Sequence, residues 1–89
     1  MIPRILHRTV PTETPDEVES FWRRAVALHP GWEHRTWRDP LDPRQFPLTA
    51  PHWGRCTSGA QLAGLVRLEL LWTHGGVYLD SDVELFRPL

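Results

Sequence analysis

Eighty-nine residues carrying 10 basic and 11 acidic side chains, a net charge of −1 and 40% hydrophobic residues describe one small globular domain. That balance excludes a disordered chain, and no arginine run longer than Arg23-Arg24 offers an electrostatic footprint for nucleic acid. Cys56 is the only cysteine, which excludes an intramolecular disulfide and a multi-cysteine zinc site. All the basic residues are Arg and none is Lys, so lysine Schiff-base chemistry is excluded and phosphate would have to meet Arg, backbone N–H or metal. The opening residues hold no apolar stretch long enough for a signal peptide, and no later run approaches a membrane span; cytoplasmic residence is the expectation.

Residues 2–10 are β-branched and bounded by Pro3 and Pro11, which predicts a first strand. Thr14-Pro15-Asp16-Glu17 then has the form of a capping box, with Thr at the cap, Pro at the first helical position and Glu at the third. The helix that follows places Val18, Phe21, Trp22, Ala25 and Leu28 on one apolar stripe, directs Glu19, Arg23 and Arg24 away from it, and stops at His29-Pro30-Gly31. Residues 32–38 alternate bulky and polar side chains, as a second strand would. Pro40, Pro43, Pro47 and Pro51 make 39–56 a long loop. His52, Trp53 and Cys56 fall within it and read as packing residues.

A second capping box, Ser58 with Gln61, opens a helix over 59–74 that carries Leu62, Leu65, Val66, Leu68, Leu71 and Trp72 and ends at Gly75-Gly76. Trp72 and Tyr78 read as core. Val77-Tyr78-Leu79 forms a third strand leading into Asp80-Ser81-Asp82. The order β-α-β-loop-α-β predicts an α/β fold with a mainly parallel sheet, whose ligands lie beyond the carboxyl ends of the strands.

Asp80 and Asp82 would stand at that edge. In an extended segment, residues two apart share a face, so the pair could share one hard cation, Mg²⁺ or Mn²⁺, or a cation and a ribose hydroxyl. A bound cation would neutralise charge on a leaving diphosphate. Glu84 could add to such a cluster, although an acid after a strand is ordinarily solvated.

Gly75-Gly76-Val77-Tyr78-Leu79-Asp80-Ser81-Asp82, with Arg67 eight residues before the first glycine, resembles the glycosyltransferases with a DXD sugar-nucleotide-binding region. These are GT-A fold enzymes that include fungal α-1,6-mannosyltransferases and capsular-polysaccharide transferases. Ile2-Pro3-Arg4-Ile5-Leu6-His7 is similar to the family's first strand, and His29-Pro30-Gly31-Trp32-Glu33 with Trp37 to its second-strand region.

The resemblance implies a Rossmann-like GT-A nucleotide-sugar-binding portion filling residues 1–89 as a single, incomplete domain. The implied reaction is transfer of a hexosyl group, with retention, from a UDP- or GDP-hexose to a glycan or other hydroxyl acceptor. Asp82 would ligate the Mn²⁺ or Mg²⁺, Asp80 would hold donor hydroxyls and support the metal, and Arg67 would reach donor sugar or phosphate. Val10 and the backbone around His7 would line the base pocket. The family usually carries Ser-Asp where this chain has Ala63-Gly64, and often a Trp in the stretch occupied here by Arg8-Thr9-Val10. Its members continue well past the DXD strand, so the expectation is a truncated or split gene product, a fragment with a complementing C-terminal chain as partner, or the amino-terminal part of a longer protein.

Two other readings stand beside this one. Ala63 and Gly64 suit an inactive remnant or a sugar-nucleotide-binding module. An apolar strand ending in Asp-x-Asp also opens aspartyl-phosphate phosphatases, with Asp80 as nucleophile and Asp82 as acid.

Overall fold

Isoleucine, threonine and valine in the run Ile5–Val10 favour extended backbone, and β1 forms there at the centre of a sheet. The computed structural model describes residues 2–89. After β1 come α1 (Asp16–Leu28), β2 (Glu33–Arg38), short 3₁₀ turns at Pro43–Gln45 and Ala50–Arg55, α2 (Gly59–His74) and β3 (Val77–Tyr78). The sheet order is β2-β1-β3 and both pairings are parallel. The register runs from Ile5 opposite Glu33 to Val10 opposite Arg38 on one side, with Leu6 opposite Val77 and His7 opposite Tyr78 on the other. The expected α/β architecture with a parallel sheet is therefore present, with β1 starting at Ile5 rather than at residue 2.

Alternation along β1 sends Leu6, Arg8 and Val10 to one face and His7 and Thr9 to the other. The Arg8 face is covered by α1: the Arg8 guanidinium lies 4.8 Å from the Trp22 ring centroid, and its Nη2 donates to both carboxylate oxygens of Glu19 at 3.2 and 3.0 Å. Glu19 thus faces the sheet, contrary to the expectation that it points away. A buried guanidinium needs an anion beside it, and the helix supplies one. The same pairing changes the start of α1. Pro15 is the N-cap, no side chain caps the helix, and the Thr14 hydroxyl donates to Glu19 instead of serving the expected capping box.

The His7 face is covered by α2. His7 is fully buried; its Nε2–H donates to the Gly75 carbonyl at 3.0 Å, and its Nδ1 accepts from the Trp37 indole N–H at 3.2 Å. Beside it, Phe46, Val66 and Leu70 form a core cluster against which Trp37, Leu41, Trp53, Leu62 and Tyr78 pack. Phe46 comes from the proline-rich segment, whose irregular backbone carries a core side chain that no helix or strand period announces. Tyr78 joins the core as expected and bonds Thr9 through its hydroxyl at 2.6 Å. Trp72 does not: it is 83% exposed on the outer face of α2, beside Leu68 at 62%. This helix is apolar nearly all round, so its sequence does not mark which side meets the sheet.

Two local devices join α2 to its surroundings. Ser58 Oγ accepts from the Gln61 N–H at 3.2 Å as a cap should, whereas the Gln61 side chain accepts from the Thr57 N–H at 2.8 Å rather than from Ser58. At the other end, Gly75 and Gly76 have φ of 70° and 93°. A Cβ on Gly76 would lie 2.5 Å from the Ile5 carbonyl oxygen, so this glycine is what lets β3 close onto β1.

The loop before α2 is held by a buried acid. Glu69, 3% exposed, accepts from the Leu48 N–H at 2.9 Å, the Thr49 N–H at 2.8 Å and the Thr49 hydroxyl at 2.7 Å. Burial alone would raise the pKa of this carboxyl, but the bonds from Thr49 and Leu48 outweigh it and hold the group below the usual range. A carboxyl depressed in this way stabilises the fold above its unfolded pKa of about 4.3, and the contribution is lost as pH falls through the folded value. Glu69→Gln should cost about 1.5–3 kcal/mol at pH 7 and flatten the acid limb of stability, measured by urea unfolding across pH.

His7 has a dependence of the same sign, set at higher pH. Burial lowers its pKa despite the Gly75 carbonyl, and protonation would set an Nδ1–H against the Trp37 N–H. Stability tied to His7 should therefore fall as pH drops below about 6.5. Nitrogen-15 spectra at about pH 7.5 should show this ring as the neutral Nε2–H tautomer; the Nδ1–H tautomer would contradict the bonding described above.

Candidate functional site

The carboxyl ends of all the strands share one edge of the sheet, because every pairing is parallel. Val10 ends β1, Asp39 follows β2 and Asp80 lies just past β3. Along this edge runs an apolar cleft of about 200 Å³, lined by Thr9, Val10, Asp39, Leu41, Leu62 and Ala63 among others. The N-terminal turns of α2 form one wall through Gly59, Leu62 and Ala63. Val10 therefore lines a cleft in the region expected for the base, whereas the buried His7 ring does not reach it.

The Asp80 to Asp82 segment is a turn rather than extended backbone. The Leu79 N–H donates to the His7 carbonyl at 2.9 Å, one residue past β3, and the chain then reverses with the Val83 N–H on the Asp80 carbonyl at 3.1 Å. The shared-face argument for an extended Asp-x-Asp accordingly does not apply; a tight turn sets the relation of the two acids. Both residues are exposed, and neither carboxylate takes part in an ion pair among the described residues. Nor do they form part of any group of three or more potential metal-ligating side chains there.

Their chemistry suits a hard cation that keeps open coordination positions. Carboxylate oxygens are the ligands Mg²⁺ and Mn²⁺ prefer, and a shell with few protein ligands leaves room for phosphate oxygens and water. Glu84 is diverted from this set, with an oxygen 3.5 Å from Arg24 Nη1 in a surface pair.

Arg67 is exposed on α2 and lines a shallow groove with His52, Arg55, Cys56 and Gly64. Among the described residues no hydrogen bond or ion pair joins it to Asp80 or Asp82. The fold thus sets Val10, Asp39 and Ala63 around one cleft, the DXD acids on the turn after β3, and Arg67 in a separate groove. Sequence reasoning missed Asp39 and Leu41 as cleft residues; the change from alternating β2 to proline-rich chain at Asp39-Pro40 was the available signal, since chains leaving parallel strands line such clefts.

Arg8 is the other residue overlooked. It lies on the buried face behind the turn, 3% exposed, with Nε donating to Thr36 Oγ1 at 3.0 Å and Nη2 paired to Glu19. Glu19 is held down to about 2 by the Thr14 hydroxyl first and the Arg8 guanidinium second, so the buried pair is ionised at neutral pH.

Comparison with known proteins supplies the family. The family model described as the glycosyltransferase sugar-binding region containing a DXD motif matches residues 15–89. Inositol phosphoceramide mannosyltransferase 3 of Schizosaccharomyces pombe is 33% identical over 99% of this chain and 26% of its own length. Inositol phosphoceramide mannosyltransferase 2 of the same organism is 29% identical over 92% of this chain and 25% of its own. The mannosyl phosphorylinositol ceramide synthase SUR1 of Saccharomyces cerevisiae is 26% identical over 92% and 23%. The chain thus spans about a quarter of the length of these relatives. No solved structure matches significantly. With the match covering most of the chain and a parallel sheet delivering Asp80-Ser81-Asp82 to its carboxyl edge, this protein belongs to the DXD-containing glycosyltransferase family rather than to the aspartyl-phosphate phosphatases.

Proposed function

We propose that the chain is the donor-binding part of a metal-dependent hexosyltransferase. The observation that carries this reading is the placement of two exposed carboxylates, neither in an ion pair, on the turn after β3, at the sheet edge that also holds the cleft along Val10, Asp39 and Ala63. A nucleoside diphosphate sugar would lay its base and ribose in that cleft and its diphosphate near the turn. Asp82 is the direct ligand of Mn²⁺ or Mg²⁺, and Asp80 holds donor hydroxyls and supports the metal. When bound, the metal stabilises negative charge on the departing diphosphate. Arg67 adds a cation for donor sugar or phosphate. The relatives' names give mannose as the first hexose to test, and the acceptor is a hydroxyl. A polypeptide corresponding to the remaining length of those relatives would supply the acceptor side.

A second reading, binding without turnover, is favoured by Ala63. It presents a methyl group to the cleft where the family ordinarily has a hydroxyl one residue before a carboxylate, which removes polar donor contacts.

Thermal unfolding with Mn²⁺ and a panel of UDP- and GDP-sugars tests the donor site. At about a hundredfold excess over Kd the matching donor should stabilise by about 2.7 kcal/mol. The shift should vanish in Asp80→Ala and Asp82→Ala and shrink in Arg67→Ala. A folded chain that no donor shifts would refute the donor-binding proposal. A shift without hexose transfer, even when the rest of a relative is added in trans, would select the binding module.

A further inference from the structure

The Arg8 guanidinium has three nitrogens, and only two have partners. Nε bonds Thr36 and Nη2 bonds Glu19, while Nη1 is buried without any hydrogen-bond partner, the one such buried side-chain atom among the described residues. A cationic donor left in this state is rare, because its hydration is lost with nothing in exchange. The same residue lines a small, partly open pocket behind the DXD turn. Its apolar walls include Phe21 and Ala25 of α1, and its polar walls are Arg8, Asp80 and Ser81. The volume is about 10 Å³, close to the roughly 10–15 Å³ that one water molecule requires. A water there would have the two to four polar partners that buried waters keep.

We infer that Arg8 is a positioning residue for the Asp80-Ser81-Asp82 turn, acting through a single bridging water that accepts from Nη1 and donates to the turn. The guanidinium is itself fixed by Glu19, Thr36 and the Trp22 ring, so the turn is tied to α1 and β2 before any ligand arrives. Orienting the groups that hold ligand-binding carboxylates is the usual task of such outer contacts. What the turn is oriented for rests on the donor-binding reading above; the tie itself does not, and it is measured without metal or donor.

Two measurements on the full 89-residue chain test it. A crystal structure showing ordered solvent should contain a water within hydrogen-bonding distance of Arg8 Nη1 and of Asp80 or Ser81. Amide exchange should be followed at Val83, whose N–H closes the turn, and at Val66 in the core as a measure of global opening. Arg8→Lys keeps a charge opposite Glu19, but its single ammonium cannot serve Glu19, Thr36 and the cavity at once. It should lower Val83 protection relative to Val66 about tenfold, the size of one lost hydrogen bond. Glu19→Gln leaves the guanidinium in place and should keep that ratio within about twofold. A merely structural role would move both amides alike. An empty or differently bonded cavity overturns the inference, as does an unchanged ratio in Arg8→Lys; should that variant not fold, the crystal structure decides alone.

Discussion

Adjacent positions on the central strand carry an imidazole and a guanidinium, and both are buried. Buried polar groups must find partners inside the protein, so this single dipeptide dictates what surrounds each face of the sheet. His7 requires a donor and an acceptor on one face and obtains them from Trp37 of β2 and from Gly75 after α2. Arg8 requires an anion on the other and obtains Glu19 from α1. Three elements distant in sequence are thereby fixed to one strand, and a one-residue slip of that strand would place each group on the wrong side.

The ordering that follows is transmitted to the sheet edge by backbone contacts. Gly76 permits β3 to lie against Ile5, the Leu79 N–H continues the ladder onto the His7 carbonyl, and the chain then turns at Asp80. The two-residue β3 is too short to be stable alone. It is held because Gly75, two residues before it, is pinned by His7 and because Tyr78 packs into the core and bonds Thr9. An exposed acidic turn thus rests on a buried, hydrogen-bonded base, the arrangement in which surface carboxylates keep a defined geometry without partners of their own.

The proline-rich segment shows a second use of charge as structure. Prolines prevent it from forming a sheet or a long helix, yet it delivers Phe46 to the core and Leu41 to the cleft. Glu69 replaces the missing regular hydrogen bonds by accepting from consecutive backbone amides, as an anion does at a helix start. Beside this contact on α2, Leu68 and Trp72 remain exposed, and no described helix is long and apolar enough to cross a membrane.

The sequence by itself determined the elements whose signals are local: the Ser58 cap, the stop at Gly75-Gly76, the β-branched first strand and the parallel order that puts Asp80 and Asp82 at the carboxyl edge. It also carried the Gly75 to Asp82 block that marks the family. Tertiary structure alone decided which polar residues are interior, because Arg8, Glu19 and Glu69 have the same composition signal as solvated side chains until their partners meet in space. It turned Trp72 outward, since a helix apolar on every side gives no direction, and it drew Thr14 away from the cap, since a carboxylate neutralising a buried cation is the stronger acceptor. The turn at Asp80 was hidden for the same reason: hydrogen bonding between Val83 and Asp80 depends on β3 ending where β1 lets it end, a property of the sheet and not of the Asp-Ser-Asp triplet.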